Sequence, residues 1–336
     1  MISYLDLSKT VYSLVWPETK NIMRSCFADH TEEMLSRHDA THTKVQDAIG
    51  PDFAREWWAW AGMNKASPDT WSHFYPTNGA SEALREIINE LSRDHGTLIV
   101  FEGEYEGYTA IASGAGINVV YLDRKNWREE WGRVSGFIGA HPCQFWLSNP
   151  SSIDGCFWKD FDEFCQTVKH PLVEIWVDLT YVGATPSAFH SVMPRILDDN
   201  IAGVVFSLSK PAGMYYRRVG GCFSRRPISG LYGNMWFKNI DSIYLGQAFL
   251  KESPRGHIPD KYEIYQKKTL SVLNEFREKN DETSLWLPSE VVLLAHANSR
   301  PFLETKEDDP DRFRRAPGFY RACLTPALYK QIVEGV

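Results

Sequence analysis

The chain has 336 residues, 43% of them hydrophobic and 24% charged, an ordinary globular mix that argues against a disordered or collagen-like chain. With 36 basic and 43 acidic side chains the net charge is −7, so the phosphate-tracking field of a nucleic-acid binder is not expected. No apolar run approaches the ~20 residues needed to span a bilayer. The start, Met1 to Asp6, lacks a basic segment followed by an apolar one, and a cytoplasmic protein without membrane partners is expected.

Taken in order, the chain offers first an aromatic segment, Trp57-Trp58-Ala59-Trp60, best explained as core or interface packing. Next comes the small-residue turn Thr77-Asn78-Gly79-Ala80-Ser81. It opens an amphipathic helix through Leu91 with Leu84, Ile87, Ile88 and Leu91 on one face. Short apolar runs predict strands at Leu98–Phe101, Val119–Leu122, Gln144–Ser148, Glu174–Val177, Gly203–Leu208 and Gly220–Phe223. They are near-continuously apolar, as strands covered on both faces are. Helical patterns are read at Trp158–Val168 and Ala188–Leu197. Alternating strands and helices imply a three-layer α/β/α fold around a mainly parallel sheet. From about Phe249 the texture changes, with a charged helix at Lys261–Lys279, a strand at Val291–His296 and a solvated loop at Lys306–Asp311. The expected division is a large domain over 46–248, with 1–45 and 249–336 forming a smaller α+β domain. Cys26, Cys143, Cys156, Cys165, Cys222 and Cys323 form no C-x-x-C pair, so they read as reduced thiols, and no metal site is expected.

The residues that carry chemistry sit at strand ends. Ser207-Leu208-Ser209-Lys210 closes an apolar run, and the carboxyl end of a buried strand is where α/β folds bind ligands. A buried ammonium needs a partner or a lowered pKa, and a lowered pKa gives a nucleophilic amine. Asp178 ends another run, with Tyr181 three residues on; Arg218 follows Lys210 by eight. A carboxylate at a strand end can keep a ring nitrogen protonated, and an Arg fork suits a phosphate. The turn before the amphipathic helix lets backbone amides reach a phosphate, although a simple N-cap by Asn78 or Ser81 explains it too.

In this order these residues resemble the fold-type I pyridoxal-phosphate enzymes, class I/II aminotransferase branch, from about Tyr75 to Phe223 and again near Arg321. The resemblance implies pyridoxal 5′-phosphate as cofactor, an amino acid substrate and a homodimer. It assigns Gly79, Ala80, Ser81, Ser207, Arg218 and, less directly, Ser209 to the cofactor phosphate. Tyr105 matches the aromatic that stacks on the ring, with Gly103 where the family has Pro. Asp178 matches the ring-nitrogen carboxylate, Tyr181 the phenol near the ring hydroxyl, and Lys210 the Schiff-base lysine and general acid/base. Arg321 matches the grip on the substrate carboxylate. The family's Asn-Pro-x-Asn-Pro-x-Gly loop appears as Asn149-Pro150-Ser151-Ser152-Ile153-Asp154-Gly155. The ring-oxygen Asn therefore falls on Ser152, with Asn149 as a substitute if the loop shifts. The implied activity is transamination of an amino acid. A lyase or replacement enzyme or an amino acid oxidase on the same fold is the alternative, and a cofactor-binding regulator without turnover a remote one.

Overall fold

The computed structural model describes residues 3–39, 42–63, 68–139, 141–192, 200–235, 238–275, 285–301 and 309–335. Three helices, α1 (Pro17–Asp29), α2 (Thr31–Asp39) and α3 (His42–Trp60), precede a seven-stranded sheet. Its strands are β1 (His73–Thr77), β2 (Thr97–Phe101), β3 (Asn118–Leu122), β4 (Cys143–Ser148), β5 (Val173–Asp178), β6 (Ile201–Ser207) and β7 (Gly220–Ser224). They lie in the order β1-β7-β6-β5-β4-β2-β3. Strand β7 runs antiparallel to both neighbours, and every other pairing is parallel. The six expected strands form within a residue or two of their expected ends. The seventh, β1, has Pro76 in its sequence, and a strand on the sheet's edge tolerates a residue that cannot donate to the ladder.

Helices cover both faces, because the strands present apolar side chains on both. On one side Leu98, Val100, Trp146, Trp176 and Val205 pack against α4 (Ala80–Arg93) and α5 (Glu106–Gly114). On the other, Ile99, Phe101, Phe145, Ile175, Val177 and Phe206 share one core with α3 and with the segments that follow the sheet. The α4 stripe is buried throughout: Leu84, Ile87, Ile88 and Leu91 are all 2% exposed or less. Burial of each such side chain contributes about 1.5–3 kcal/mol. The Trp57-Trp58-Ala59-Trp60 segment is packing, as its sequence suggested: Trp57 stacks on Phe206 with ring centroids 3.8 Å apart, and Trp58 meets Phe223 edge-on.

The remaining helices are α6 (Trp127–Ser135), α7 (Phe161–Thr167), α8 (Ser229–Asn234), α9 (Ile240–Glu252) and α10 (His257–Asn274). A four-stranded antiparallel sheet follows, in the order β10-β11-β9-β8, from β8 (Leu287–Pro288), β9 (Leu294–Ala297), β10 (Arg314–Ala316) and β11 (Phe319–Cys323). A short helix, α11 (Thr325–Tyr329), follows β11, packs against α10 and runs into a π-helical turn, Lys330–Glu334. Ser8 pairs with Cys323, so the start of the chain is tied to β11.

Three expectations are corrected. The helix read at Trp158–Val168 spans only Phe161–Thr167, since Trp158 and the residues before Phe161 form a turn that seats the Trp158 ring on Phe101. The strand read at Val291–His296 begins only at Leu294: Val291 to Leu293 turn, with Val291 and Val292 donating to the carbonyls of Gly155 and Ala184. At Ala188 the chain forms a 3-10 turn, Ser187–Val192, rather than an α-helix; 193–199 lie outside the described residues, as do 276–279 and 306–308 of the later helix and loop. Among the described residues no helix is long and apolar enough to cross a membrane.

Candidate active site

The six strands that run in one direction deliver their carboxyl ends to one edge of the sheet. There a half-closed cavity of about 340 Å³ opens. Thr77 of β1 leads to Ala80 and Ser81, Phe101 of β2 to Tyr105, Ser148 of β4 to Ser152, Asp178 of β5 to Tyr181, and Ser207 of β6 to Ser209 and Lys210; all but Thr77 and Phe101 line the cavity. Arg218, just before the reversed strand β7, and Arg321, from β11 of the second sheet, complete the wall. Of the residues assigned from sequence, only Gly79 and Asn149 are not in the lining.

At one end the groups are suited to an anion. Gly79 is the N-cap of α4, with φ +73° and no side-chain cap, so neither Asn78 nor Ser81 caps the helix. A side chain on Gly79 would start 2.8 Å from Arg218 Nη2 and would push the guanidinium aside, and the positive φ by itself favours glycine. Arg218 Nη2 donates to Ser81 Oγ at 3.0 Å. Ser207 Oγ donates to Ser209 Oγ at 2.9 Å and accepts from the Ser209 amide at 3.1 Å. Hydroxyls, a guanidinium and the N-terminus of a 14-residue helix converge here, the chemistry that binds a phosphate.

At the other end lies Asp178, 5% exposed. Its carboxylate accepts from the Thr180 amide at 2.9 Å and from the Tyr108 hydroxyl at 3.0 Å. Burial pushes the carboxyl above its ordinary value, while Thr180, Tyr108 and Lys210 pull it back. A protonated ring nitrogen beside it would act in the same sense as Lys210 and favour the charged carboxylate. Tyr105 stands at the start of α5 with its ring edge-on to Tyr108, centroids 5.5 Å apart. Gly103 has φ +88°, and a side chain there would meet the Arg315 carbonyl at 2.8 Å. Proline holds φ near −65° and cannot adopt that conformation, which accounts for Gly where the resembling family has Pro.

Lys210 lies between these ends, and its Nζ donates to the Val11 carbonyl at 2.5 Å. Burial brings its pKa down to about 8, with Arg321 and Arg218 acting in the same direction against Asp178. The amine is thus available as a nucleophile near neutral pH. Arg321 is 2% exposed. Its Nη1 donates to the Ser152 carbonyl and its Nη2 to the Lys9 carbonyl at 3.0 Å, while its buried Nε has no partner. Among the described residues no carboxylate pairs with it. Asp311, from the acidic loop that could have held it, meets Arg300 instead. Glu106 lines the same cavity and acts on Arg321 through space, but its carboxylate is paired with Arg315. A buried guanidinium with no carboxylate of its own is costly, and one that faces a cavity is matched to an anionic ligand.

Of the two loop candidates, Ser152 lines the cavity and Asn149 does not. Asn149 Oδ1 accepts from the Trp158 amide at 3.0 Å, which turns that side chain away from the cavity. Ser152 lines it, but its hydroxyl lies 2.7 Å from Glu104 Oε2, a carboxyl it shares with Ser148 Oγ at 2.6 Å. Glu104 and Tyr108 were not singled out from sequence. The i, i+3 spacing from Tyr105 to Tyr108 and an acid next to a buried strand were the available signals. The lining by Lys9, Thr10 and Val11 left no local signal, since these residues lie about 200 positions from Lys210.

The residues present fit pyridoxal phosphate. A phosphate would meet Ser81, Ser207, Ser209 and Arg218, a pyridine nitrogen Asp178, and a carbonyl carbon the Lys210 amine.

No protein-family model matches the chain. It is 26% identical over 225 residues to the methionine aminotransferase of Escherichia coli (strain K12), a match that spans 62% of this chain and 58% of that relative's length. Among solved structures it resembles an aminotransferase from Staphylococcus aureus, with TM-score 0.70, 15% identity, and 99% of this chain and 93% of that one covered. It also resembles the histidinol-phosphate aminotransferase from Sinorhizobium meliloti in complex with pyridoxal-5′-phosphate, with TM-score 0.64, 15% identity, and 96% and 88% covered.

The lowered pKa of Lys210 has a measurable consequence in the ligand-free protein. Its folded value of about 8 lies below the ordinary 10.5, so the unfolded chain binds the extra proton between those values and stability rises with pH across that window. Lys210→Met should therefore raise the melting temperature most below pH 8, by up to roughly 3 kcal/mol of stability. The gain should fade as the pH approaches 10.5, and melting curves from pH 7 to 11 measure it.

Proposed function

We propose that this chain, which has the fold of the fold-type I, class I/II aminotransferases, is a pyridoxal-phosphate-dependent aminotransferase acting on an amino acid. The observation that carries the reading is Arg321, buried without a carboxylate partner among the described residues and facing the same cavity as Lys210 and Asp178. A substrate carboxylate supplies the missing counter-charge, and a planar fork holds it in one orientation.

Bound pyridoxal phosphate supplies the electron sink for charge that develops at the amino acid's Cα. The protein supplies position and proton transfer. Ser81, Ser207, Ser209 and Arg218 hold the phosphate, and Asp178 keeps a proton on the ring nitrogen. Its own charge is steadied there by Tyr108 and Thr180. Tyr181 stands in the wall with its phenol proton held tightly by burial, so it can donate a hydrogen bond. Arg321 fixes the carboxylate and so sets which Cα bond faces the lysine. Lys210 Nζ, poised near pH 8, takes the Cα proton and returns it. In doing so it must leave the Val11 carbonyl.

We also propose that the protein works as a homodimer. Closed two-fold pairing is the commonest assembly, and Tyr216, 90% exposed next to the cavity-lining Tyr215, offers a large aromatic surface beside the site. Light scattering should show a dimer, and a monomer with full activity would overturn this.

Two experiments test the main reading. Incubation with pyridoxal phosphate followed by borohydride should leave a phosphopyridoxyl mass on Lys210; labelling of another lysine sinks the assignment. Arg321→Ala should raise KM and lower kcat for amino acids, at a total cost of about 2–5 kcal/mol. It should leave the slow reaction of the corresponding decarboxylated amine nearly unchanged. Equal losses on both substrates would show that Arg321 does not grip the carboxylate.

A further inference from the structure

Beside the anion end of the cavity lies a charge pair that the proposed reaction does not use. Glu82, in the first turn of α4, accepts the Asn78 amide on Oε2 at 2.6 Å and the Lys238 ammonium on Oε1 at 2.6 Å. The two side chains are 3% (Lys238) and 8% (Glu82) exposed. Glu82 shares a polar recess with Asn78, Ser81, Arg85 and Asn234, and Ser81 also lines the cavity. The carboxylate thus sits one residue from a group that faces the anion, at the same helix terminus.

That position sets two demands against each other. The bond from the Asn78 amide pins the Thr77–Gly79 turn, whose shape brings Gly79 under Arg218. A carboxylate in the first turn is favourable for an isolated helix. When the helix terminus also receives a ligand anion, the same carboxylate repels it, and burial strengthens the repulsion. A cation held against Glu82, on the side away from Asn78, removes the repulsion and leaves the turn pinned.

We propose that Lys238 is a positioning residue for the phosphate end of the site: it neutralises Glu82, so that Glu82 anchors the Asn78–Gly79 turn without repelling the cofactor's phosphate. This rests on the reading of the cavity as a pyridoxal-phosphate site. It does not require Lys238 to touch the phosphate.

The test is a set of equilibrium titrations, followed by absorbance, of wild type, Lys238→Met, Glu82→Gln and the double variant, each with pyridoxal 5′-phosphate and with pyridoxal. Gln keeps an oxygen for the Asn78 amide, so Glu82→Gln removes the charge and not the anchor. Lys238→Met should weaken pyridoxal phosphate about tenfold and leave pyridoxal nearly unaffected. Glu82→Gln should bind the phosphate ester as tightly as wild type or more tightly, and the double variant should return to within about twofold of wild type. The opposite signs of the single variants separate this role from a purely structural one, in which both singles weaken binding together; that outcome overturns the proposal. A double variant as weak as Lys238→Met overturns it as well, by showing that the ammonium itself meets the phosphate. If Lys238→Met fails to fold, Glu82→Gln and the double variant decide: the expected affinities in both support the proposal, and a loss in either overturns it. A wild type that holds pyridoxal as tightly as its phosphate ester overturns the cofactor reading itself, and this inference with it.

Discussion

Of the positive charges that line the half-closed cavity, two make their hydrogen bonds to backbone carbonyls: Lys210 to Val11, Arg321 to Ser152 and Lys9. Carbonyl oxygens satisfy donors but do not cancel charge, so both cations remain at an energetic disadvantage that an anionic ligand can relieve. The rest of the architecture serves to hold them there. The parallel sheet fixes Lys210 at the end of β6, with Asp178 at the end of the neighbouring strand β5. The second sheet carries Arg321 in from the far end of the chain. A buried network around Asp178, Tyr108 and Thr180 keeps the carboxylate at the end of β5 occupied with hydrogen bonds of its own.

The reversed strand β7 has a specific part in this. Were β7 parallel to β6, the strand and the Arg218 just before it would start at the opposite edge of the sheet. Running antiparallel, it starts at the cavity edge and sets Arg218 directly on Gly79. Gly220 at its first position is packed so tightly that a side chain would meet the Phe206 carbonyl at 2.3 Å and the Gly79 backbone at 3.0 Å. The end of the cavity suited to an anion is therefore a contact between two glycine backbones with a guanidinium across them.

Much of this was legible from the sequence, for a local reason. A strand buried on both faces reads as an uninterrupted apolar run, and the residue that ends the run is the one presented at the sheet's edge. Asp178, Ser207 and Lys210 could thus be placed without knowing which strands pair. Arg321 was reached by resemblance rather than by pattern. The edge strand β1 was missed because Pro76 interrupts it. The choice between Asn149 and Ser152 needed the actual path of the loop. Glu104, Tyr108 and the Lys238–Glu82 pair were missed because their meaning lies in what they face, from elements distant in sequence. The segment Lys9 to Val11 was beyond any local signal, as its partners lie about 200 and 310 residues away.

That last separation bears on how the protein comes into being. Ser8 pairs with Cys323, and the Lys9 carbonyl with Arg321, across more than 300 residues. Contacts of such sequence separation close late, after the local ones. While the ribosome is still extending the chain, the large sheet can assemble and Lys210 can reach its strand end, yet the cavity lacks one wall and the Arg321 guanidinium. Only release of the segment through residue 323 lets the early N-terminal stretch find its partner. The amine of Lys210 thus meets its Val11 carbonyl, and Arg321 its Lys9 carbonyl, only through a stretch that the late-made β11 ties down.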